Sequence, residues 1–232
     1  MNIKSLGIII ALILIMFMSA IETSIVSLAL PTIKNDLNVT SSISLIFAVY
    51  FIAIVIANPI VGELLDRTKI IYITLLGLML FTIGSLFSGL SDTFTMLIIS
   101  RFIQGLGAGV MMALSQIVPK LAFEIPLRYK IMGIVGSVWG ISSIIGPVLG
   151  GGILEFATWH WLFFVNIPIS IIAIILVVIT FHFENESTST SAKLDVKGLS
   201  LFYTFVFFLI FAVMYTATVS YTHLTLPTNR EV

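Results

Sequence analysis

Residues 7–30 read GIIIALILIMFMSAIETSIVSLAL, an apolar run of the length that a helix needs to cross a membrane. About 20 such residues span a hydrocarbon core of roughly 30 Å. Comparable runs recur as far as Val219, separated by short polar loops. The sequence therefore predicts an all-α polytopic membrane protein with spans at residues 7–30, 43–65, 70–90, 94–117, 131–154, 161–181 and 199–219.

The composition of the chain supports this prediction. Hydrophobic residues make up 59% and charged residues only 9%, whereas soluble domains are about one quarter charged. A formal net charge of zero gives no indication of nucleic acid binding. The chain has no cysteine and only three scattered histidines, His160, His182 and His223. We therefore expect no disulfide and no metal site. The sequence also has no Gly-x-Ser-x-Gly motif and no paired intramembrane carboxylates, so we expect no enzyme activity, and we expect no cofactor.

Lysine and arginine in the loops predict the orientation, because these residues resist translocation and remain in the cytoplasm. Among the lysines and arginines in the loops of residues 1–219, a cytoplasmic N-terminus leaves only Lys34 outside. It places eight basic residues inside, namely Lys4, Arg67, Lys69, Lys120, Arg128, Lys130, Lys193 and Lys197. We therefore predict a multi-pass membrane protein with a cytoplasmic N-terminus and with loops 31–42, 91–93 and 155–160 on the external side.

The spans divide the chain into four parts. Residues 1–181 form a six-helix unit, and residues 182–198, with their Ser/Thr/Glu run, form a cytoplasmic linker. Residues 199–219 form a seventh span. The chain changes character abruptly after it, and residues 220–232 resemble translated sequencing-adapter readthrough. We expect this tail to be artefactual, with a genuine external tail as the alternative.

Two ionisable residues lie within predicted spans, Glu22 in the first and Arg101 in the fourth. A charge at mid-membrane costs at least about 2.5–3.5 kcal/mol, so one that is kept needs a partner or a task. Counted from Leu30 and Phe94, both residues lie about 10–12 Å below the external surface. We expect them to face one cavity, in which a proton or a cationic substrate competes for the carboxylate. The alternatives are a static charge pair, or an arginine satisfied by backbone carbonyls.

Small residues and a short internal repeat indicate how the helices pack. Glycines at three- and four-residue spacings, which allow helix backbones to approach closely, are Gly105, Gly107, Gly109, Gly136, Gly140, Gly146 and Gly150–Gly152. A Pro-x-x-Gly element recurs at Pro59–Gly62 and Pro147–Gly150, near opposite faces of the membrane. This repeat predicts that spans 1–3 and 4–6 are related as an inverted repeat, as in each half of some transporters.

Five segments stand out in order along the chain: IETSIVSLALP at 21–31, GELLDR at 62–67, RFIQGLGA at 101–108, GPVLGG at 146–151 and WHWLFFVNIP at 159–168. They resemble signatures of the drug:proton antiporters of the major facilitator superfamily, in the order and at the spans where that family has them. The resemblance is highly specific because all five occur together. It implies the N-terminal six-helix half of a major facilitator fold, built as a 3+3 inverted repeat, with a seventh helix like the first extra helix of the fourteen-span subgroup.

The resemblance also implies roles for individual residues. Glu22, Arg101 and Gln104 would couple protons to substrate. Gly62, Asp66 and Arg67 would belong to a cytoplasmic latch, which Lys69-Ile70-Ile71 weakens by replacing the expected glycine and basic pair. Residues that would bend the fifth helix and favour export are Gly146, Pro147, Gly150 and Gly151.

The predicted function is proton-coupled efflux of drugs or other lipophilic compounds, including cations. Its partners would be the lipid bilayer, protons, small lipophilic drugs and the missing C-terminal half of the same transporter, with the proton gradient as energy source. Two alternatives stay open. One is another secondary transporter on the same fold, either a metabolite exporter or an uptake symporter. The other is a non-transporting membrane protein, such as a sensor, an assembly partner or an inert fragment.

Overall fold

The computed structural model describes residues 3–40, 42–182 and 197–208, all of whose regular elements are helices. Two units are described separately, because the chain divides between Thr190 and Ser191. The first unit holds α1 (Ile3–Asp36), α2 (Leu45–Leu65), α3 (Ile70–Gly89), α4 (Phe94–Ala122), α5 (Leu127–Phe156), α6 (Trp161–Phe164) and α7 (Asn166–Thr180). The second unit holds the apolar helix α8, Lys197–Phe208.

Among the described residues, six helices are long and apolar enough to cross a membrane when α6 and α7 are taken together as one span, Trp161–Thr180. They confirm the first six predicted spans. The predicted seventh span, 199–219, coincides with α8 only as far as Phe208, and its remainder lies outside the described residues. Most of the predicted linker 182–198 and all of the tail 220–232 also lie outside them, so these assignments stay predictions.

Several helices extend beyond the apolar runs that predicted them. The first helix continues through Pro31 to Asp36, six residues past the predicted end of its span. The fourth reaches Ala122 and the fifth begins at Leu127. Apolar length measures the hydrocarbon core, whereas intrahelical hydrogen bonds continue into the polar interface. The predicted external loop 31–42 was therefore wrong at its start, since residues 31–36 are helical.

The sixth span is interrupted, which was not predicted. Its first turn, α6, ends at Phe164, Val165 forms a turn, and α7 begins at Asn166. Proline has no backbone N–H, so Pro168 cannot donate to the carbonyl of residue 164, and the helix is weakened at this point. The carbonyl of Phe163, beside the interruption, accepts a hydrogen bond from the hydroxyl of Ser85 at 2.9 Å. The interruption thus brings α3 and α6 together through a polar contact.

The pairing of helices in the first unit follows an inverted repeat. Helix α1 packs extensively against α5, and α4 packs in the corresponding way against α2. In the same manner α1 contacts α7, and α4 contacts α3. Exchanging α1, α2 and α3 with α4, α5 and the span formed by α6 and α7 therefore reproduces the packing pattern. This arrangement places α1 and α4 side by side, each bringing its membrane charge to the centre of the bundle.

The closest helix contacts occur at glycines of α4. A Cβ atom added at Gly107 would lie 2.3 Å from the backbone nitrogen of Phe81 on α3, and one at Gly105 would lie 2.5 Å from the carbonyl oxygen of Tyr50 on α2. Gly109 meets α2 in the same way. These glycines confirm the prediction of close backbone approach. Only glycine fits where two backbones leave no room for a Cβ.

For part of α5 the described chain shows no such close approach. Added Cβ atoms at Gly136, Gly140 and Gly152 would meet nothing within 4 Å in the described chain, and one at Gly151 would meet only the side chain of Leu28, at 3.8 Å. Only one face of α5 packs against α1, and Gly136, Gly140 and Gly152 lie off it. Spacing alone does not say which glycines face a neighbour, since a helix presents small residues in several directions.

Candidate functional site

Glu22 and Arg101 meet in the centre of the first unit. Arg101 Nη1 donates to Glu22 Oε1 at 2.5 Å, and both side chains are fully buried. Measured from the ends of their helices the two residues are unequally deep, because Glu22 lies 14 residues before Asp36 and Arg101 only seven after Phe94. The extension of α1 beyond the apolar core explains this difference. The two side chains therefore meet although their distances from the helix ends differ.

Gln104 completes the predicted coupling group. It lies one helical turn after Arg101, where residues three apart face the same side of a helix. Its Oε1 accepts a hydrogen bond of 2.7 Å from Arg101 Nη1, and its Nε2 donates to the hydroxyl of Ser85 at 3.2 Å. The structure thus brings Glu22, Arg101 and Gln104 into one buried hydrogen-bonded group. Their role in coupling stays a prediction.

Two further residues belong to the group and were not among the predicted site residues. Asn166 Nδ2 donates to the second carboxylate oxygen of Glu22 at 2.7 Å and to Ser85 Oγ at 3.1 Å. Both side chains are buried. Asn166 lies in a segment that resembles a family signature, but only the interruption before α7 shows that its side chain enters the centre. Ser85 had no sequence signal, since serines are common in membrane helices.

Aromatic rings cover the arginine. The guanidinium carbon of Arg101 lies 4.1 Å from the ring centroid of Tyr50 and 5.8 Å from that of Phe163. Cations within about 6 Å of an aromatic face are attracted by its quadrupole. The hydroxyl of Tyr50 is directed elsewhere, to the backbone carbonyl of Ser19 at 3.5 Å. The rings therefore stabilise the positive charge without placing a competing donor on it.

Burial of two opposite charges determines the energetics of this group. Removing two ions from water is costly, and their attraction compensates only if geometry and further hydrogen bonds are good. Glu22 meets that condition, since both of its oxygens accept hydrogen bonds. Arg101 does not meet it fully, because Nε and Nη2 have no hydrogen-bond partner among the described residues. The attraction between the two charges therefore offsets the cost of burying them, and neutralising either one would leave the other uncompensated.

The predicted latch residues lie apart from this group. Gly62 is exposed near the end of α2, and a Cβ added there would meet nothing within 4 Å in the described chain. Asp66 caps the C-terminus of α2 and is exposed, as is Arg67, whose backbone N–H donates to the carbonyl of Leu64 at 3.1 Å. The structure does not bring these three residues to the buried centre.

The predicted helix-5 residues divide into two pairs. Gly146 and Gly150 face α1, where added Cβ atoms would lie 2.5 Å from Ser24 Cβ and 3.0 Å from Ile25 Cγ1. Pro147 is exposed and Gly151 half-exposed. Helix α5 is continuous through Pro147. The close contact with α1 thus lies two to three residues beyond Glu22, so the packing of α5 bears directly on the charged helix.

The described residues contain no group of three or more histidine, cysteine, aspartate or glutamate side chains that could hold a metal ion. The polar centre is instead an ion pair with amide and hydroxyl partners. Together with six membrane-length helices, it defines a polytopic α-helical membrane protein with ionisable groups in its interior. In such proteins, intramembrane charges commonly mark ion or substrate pathways.

Comparison with known proteins identifies the family. The sequence pattern of the Major Facilitator Superfamily matches residues 12–228, and the chain belongs to this superfamily. It is 73% identical over 214 residues to the multidrug efflux pump SdrM of Staphylococcus aureus (strain N315), covering 92% of this chain and 48% of that protein. It is 36% identical over 161 residues to the multidrug transporter protein MdtP of Bacillus subtilis (strain 168), covering 68% of this chain and 29% of that one.

A solved structure supports the fold independently. The crystal structure of a D-xylose-proton symporter matches with a TM-score of 0.69 at 13% sequence identity, over 91% of this chain and 53% of that protein. The prediction of a major facilitator half is confirmed. The chain spans about half the length of SdrM and less than a third of MdtP. Activity of a whole transporter is therefore a matter for proposal.

Proposed function

We propose that this chain forms the N-terminal part of a proton-coupled exporter of drugs and other lipophilic compounds in the bacterial cytoplasmic membrane. The observation that carries the proposal is the Glu22–Arg101 pair. Glu22 is the single fully buried carboxylate among the described residues, and it lies in a chain 73% identical to a multidrug efflux pump. We therefore infer that Glu22 is the group that binds a proton or a lipophilic cation.

The proposed mechanism follows from the charge balance at the pair. When a proton binds Glu22, the carboxylate becomes neutral and its attraction for Arg101 is lost. Helices α1 and α4 then lose an electrostatic contact, and the two halves of the inverted repeat can change their relative packing. A cationic substrate competes with the proton for the same negative charge. The proton gradient supplies the energy, and no cofactor or enzymatic step is involved.

The remaining predicted roles are part of the same proposal. The C-terminal half of the transporter completes the substrate cavity, the N-terminus is cytoplasmic, and α8 opens the seventh span of a fourteen-span protein. Asp66 and Arg67 act in the cytoplasmic latch, and Gly146 and Pro147 in the helix that favours export. A single six-helix half cannot enclose a substrate cavity without the second half, so we expect the chain alone not to transport.

The experiment compares the chain alone with a fusion that joins it in frame to the C-terminal half of SdrM. We expect the fusion to expel a fluorescent lipophilic cation in a manner abolished by a protonophore, and Glu22→Gln to eliminate that coupling. Glu155→Gln, at an exposed carboxylate near the end of α5, is the matched control and should retain efflux. Proton-driven uptake in place of efflux would favour a symporter, and unchanged coupling in Glu22→Gln would remove that residue from the mechanism.

A further inference from the structure

The amide of Asn166 is held in a defined orientation by its neighbours. Its Nδ2 donates both to Glu22 Oε2 at 2.7 Å and to Ser85 Oγ at 3.1 Å. Ser85 in turn donates its only hydroxyl proton to the carbonyl of Phe163 at 2.9 Å. It can therefore only accept from Asn166. This arrangement directs the NH₂ end of the amide towards Glu22.

Such an orientation suits an ionised Glu22 and no other form. Both carboxylate oxygens accept hydrogen bonds, Oε1 from Arg101 and Oε2 from Asn166. A protonated Oε2 would carry an O–H group that needs an acceptor, yet it would face an NH₂ group that can only donate. The other nearby amide oxygen, on Gln104, already accepts from Arg101. Protonation of Glu22 thus requires a rearrangement of its hydrogen bonds.

Asn166 carries the missing acceptor. Its Oδ1 is buried and has no hydrogen-bond partner among the described residues. A buried acceptor without a partner costs about 1–3 kcal/mol, so native structures rarely keep one without a reason. A half-turn of the side-chain amide exchanges Oδ1 and Nδ2 with little change of shape. It would place this acceptor directly opposite Glu22 Oε2.

We propose that Asn166 is a positioning residue whose amide turns over when Glu22 binds a proton. This inference rests on the proposed function, in which Glu22 is the proton site. In the ionised state Nδ2 donates to Oε2. In the protonated state the new O–H on Oε2 donates to Oδ1, and Nδ2 takes the position at which Oδ1 had no partner among the described residues. The hydroxyl of Ser85 rotates to donate to Oδ1 as well and releases the carbonyl of Phe163. Proton binding is thereby transmitted to the interruption between α6 and α7.

The surroundings of Glu22 contain few other groups that titrate. Arg101 on α4 and Tyr50 on α2 are the charged or titratable side chains that face it in the described chain. Helix α3 presents Ser85, α6 a backbone carbonyl and α7 the amide of Asn166. The face of α5 near this level presents Gly146 and Gly150. The hydrogen-bond change is therefore assigned to Glu22 and its amide partner.

Infrared difference spectroscopy of the chain in lipid nanodiscs tests this inference as the pH is lowered. The wild-type chain should develop a carboxylic acid carbonyl band that Glu22→Gln lacks. In Asn166→Leu, which is of similar size but has no polar group, this band should shift to higher frequency because the acid has lost its acceptor. Ser170→Ala is the matched control, since this buried hydroxyl on the next turn of α7 donates only to Met18 Sδ at 3.3 Å. It should leave the band in place.

A second measurement does not depend on the stability of Asn166→Leu. In the wild-type chain with ¹³C-labelled asparagine, acidification should lower one side-chain carbonyl frequency as Oδ1 becomes hydrogen bonded, and Glu22→Gln should abolish this change. An acid band that does not move in Asn166→Leu, or an asparagine carbonyl that does not respond, overturns the inference and leaves Glu22 as the proton site. Absence of any acid band dependent on Glu22 overturns the proposed proton site as well.

Discussion

Trp159 Nε1 donates a hydrogen bond of 2.8 Å to Asp36 Oδ2, joining the segment before α6 to the last residue of α1. The indole is almost fully buried at 2% exposure, whereas the carboxylate is exposed. The Trp159 ring also stacks on His160, with centroids 3.7 Å apart. This contact fixes the end of α1 that extends beyond the predicted span. It therefore determines how the charged helix is anchored to the sixth span.

Removing the acceptor should destabilise this anchor. Asp36→Ala leaves a buried indole N–H without a partner, which costs about 1–3 kcal/mol. Asp36→Asn should cost less, because its amide oxygen can still accept. Thermal unfolding of the purified chain in mild detergent measures the difference. Asp92→Ala, at an exposed loop carboxylate, is the control, and an equal loss in all three variants would contradict a specific role for the hydrogen bond.

A double-mutant cycle should reveal the coupling of the buried pair. Glu22→Leu or Arg101→Leu alone leaves an uncompensated charge in the bundle, which costs about 3–5 kcal/mol in buried pairs. The double variant removes both charges and should be less destabilised than the sum of the singles. We expect a coupling of about 1–3 kcal/mol in the free energy of unfolding. Recovery should be incomplete, since Asn166 and Gln104 lose partners.

Additive costs in this cycle would show that the ion pair does not contribute as a unit. Glu155→Leu combined with Arg101→Leu provides the comparison, since Glu155 is exposed and makes no ion pair with Arg101. Its combination should be additive to within about 0.5 kcal/mol.

Alanine substitutions should separate the packed glycines from the open ones. At Gly107 a Cβ would lie 2.3 Å from the backbone of Phe81, which cannot move without separating α3 from α4. We expect Gly107→Ala to destabilise the chain by about 1–3 kcal/mol through overpacking. Gly140→Ala meets nothing within 4 Å in the described chain and should be neutral or slightly stabilising. Melting temperatures of the two variants check this, and equal values would contradict the packing of α3 on α4.

Cysteine labelling should test the proposed orientation, because the chain has no native cysteine. Asp92 lies before α4 and Glu124 lies between α4 and α5, and both are exposed. With a cytoplasmic N-terminus, a membrane-impermeant maleimide should label Asp92→Cys in intact cells. It should label Glu124→Cys only after the cells are permeabilised. The reverse pattern would invert the orientation, and labelling of both in intact cells would indicate a mixed topology.

Apolar length and loop charge could be interpreted without a structure. Six spans and the superfamily followed from runs such as 70–90 and from signatures such as that at 101–108. The physical reason is that a bilayer imposes one requirement on every span, an apolar helix of about 20 residues. The helix ends were predicted less accurately. An apolar run marks the part of a helix inside the hydrocarbon core and does not show how far the helix continues into the polar interface. The extension of α1 to Asp36 is the clearest example.

Tertiary structure decided which side chains meet. The sequence alone determined that Glu22 and Arg101 are membrane charges in need of partners, because burying an ion has a cost wherever it lies in the bundle. Only the packing of α1, α3 and α7 brought Asn166 to the carboxylate of Glu22, across 144 residues of chain, and to the hydroxyl of Ser85, across 81. It also decided that Gly107 packs against α3 while Gly140 meets nothing within 4 Å in the described chain, although both glycines belong to the same pattern of small residues. Hydropathy depends on each residue by itself, whereas a hydrogen bond between distant helices depends on the rotation and depth of both.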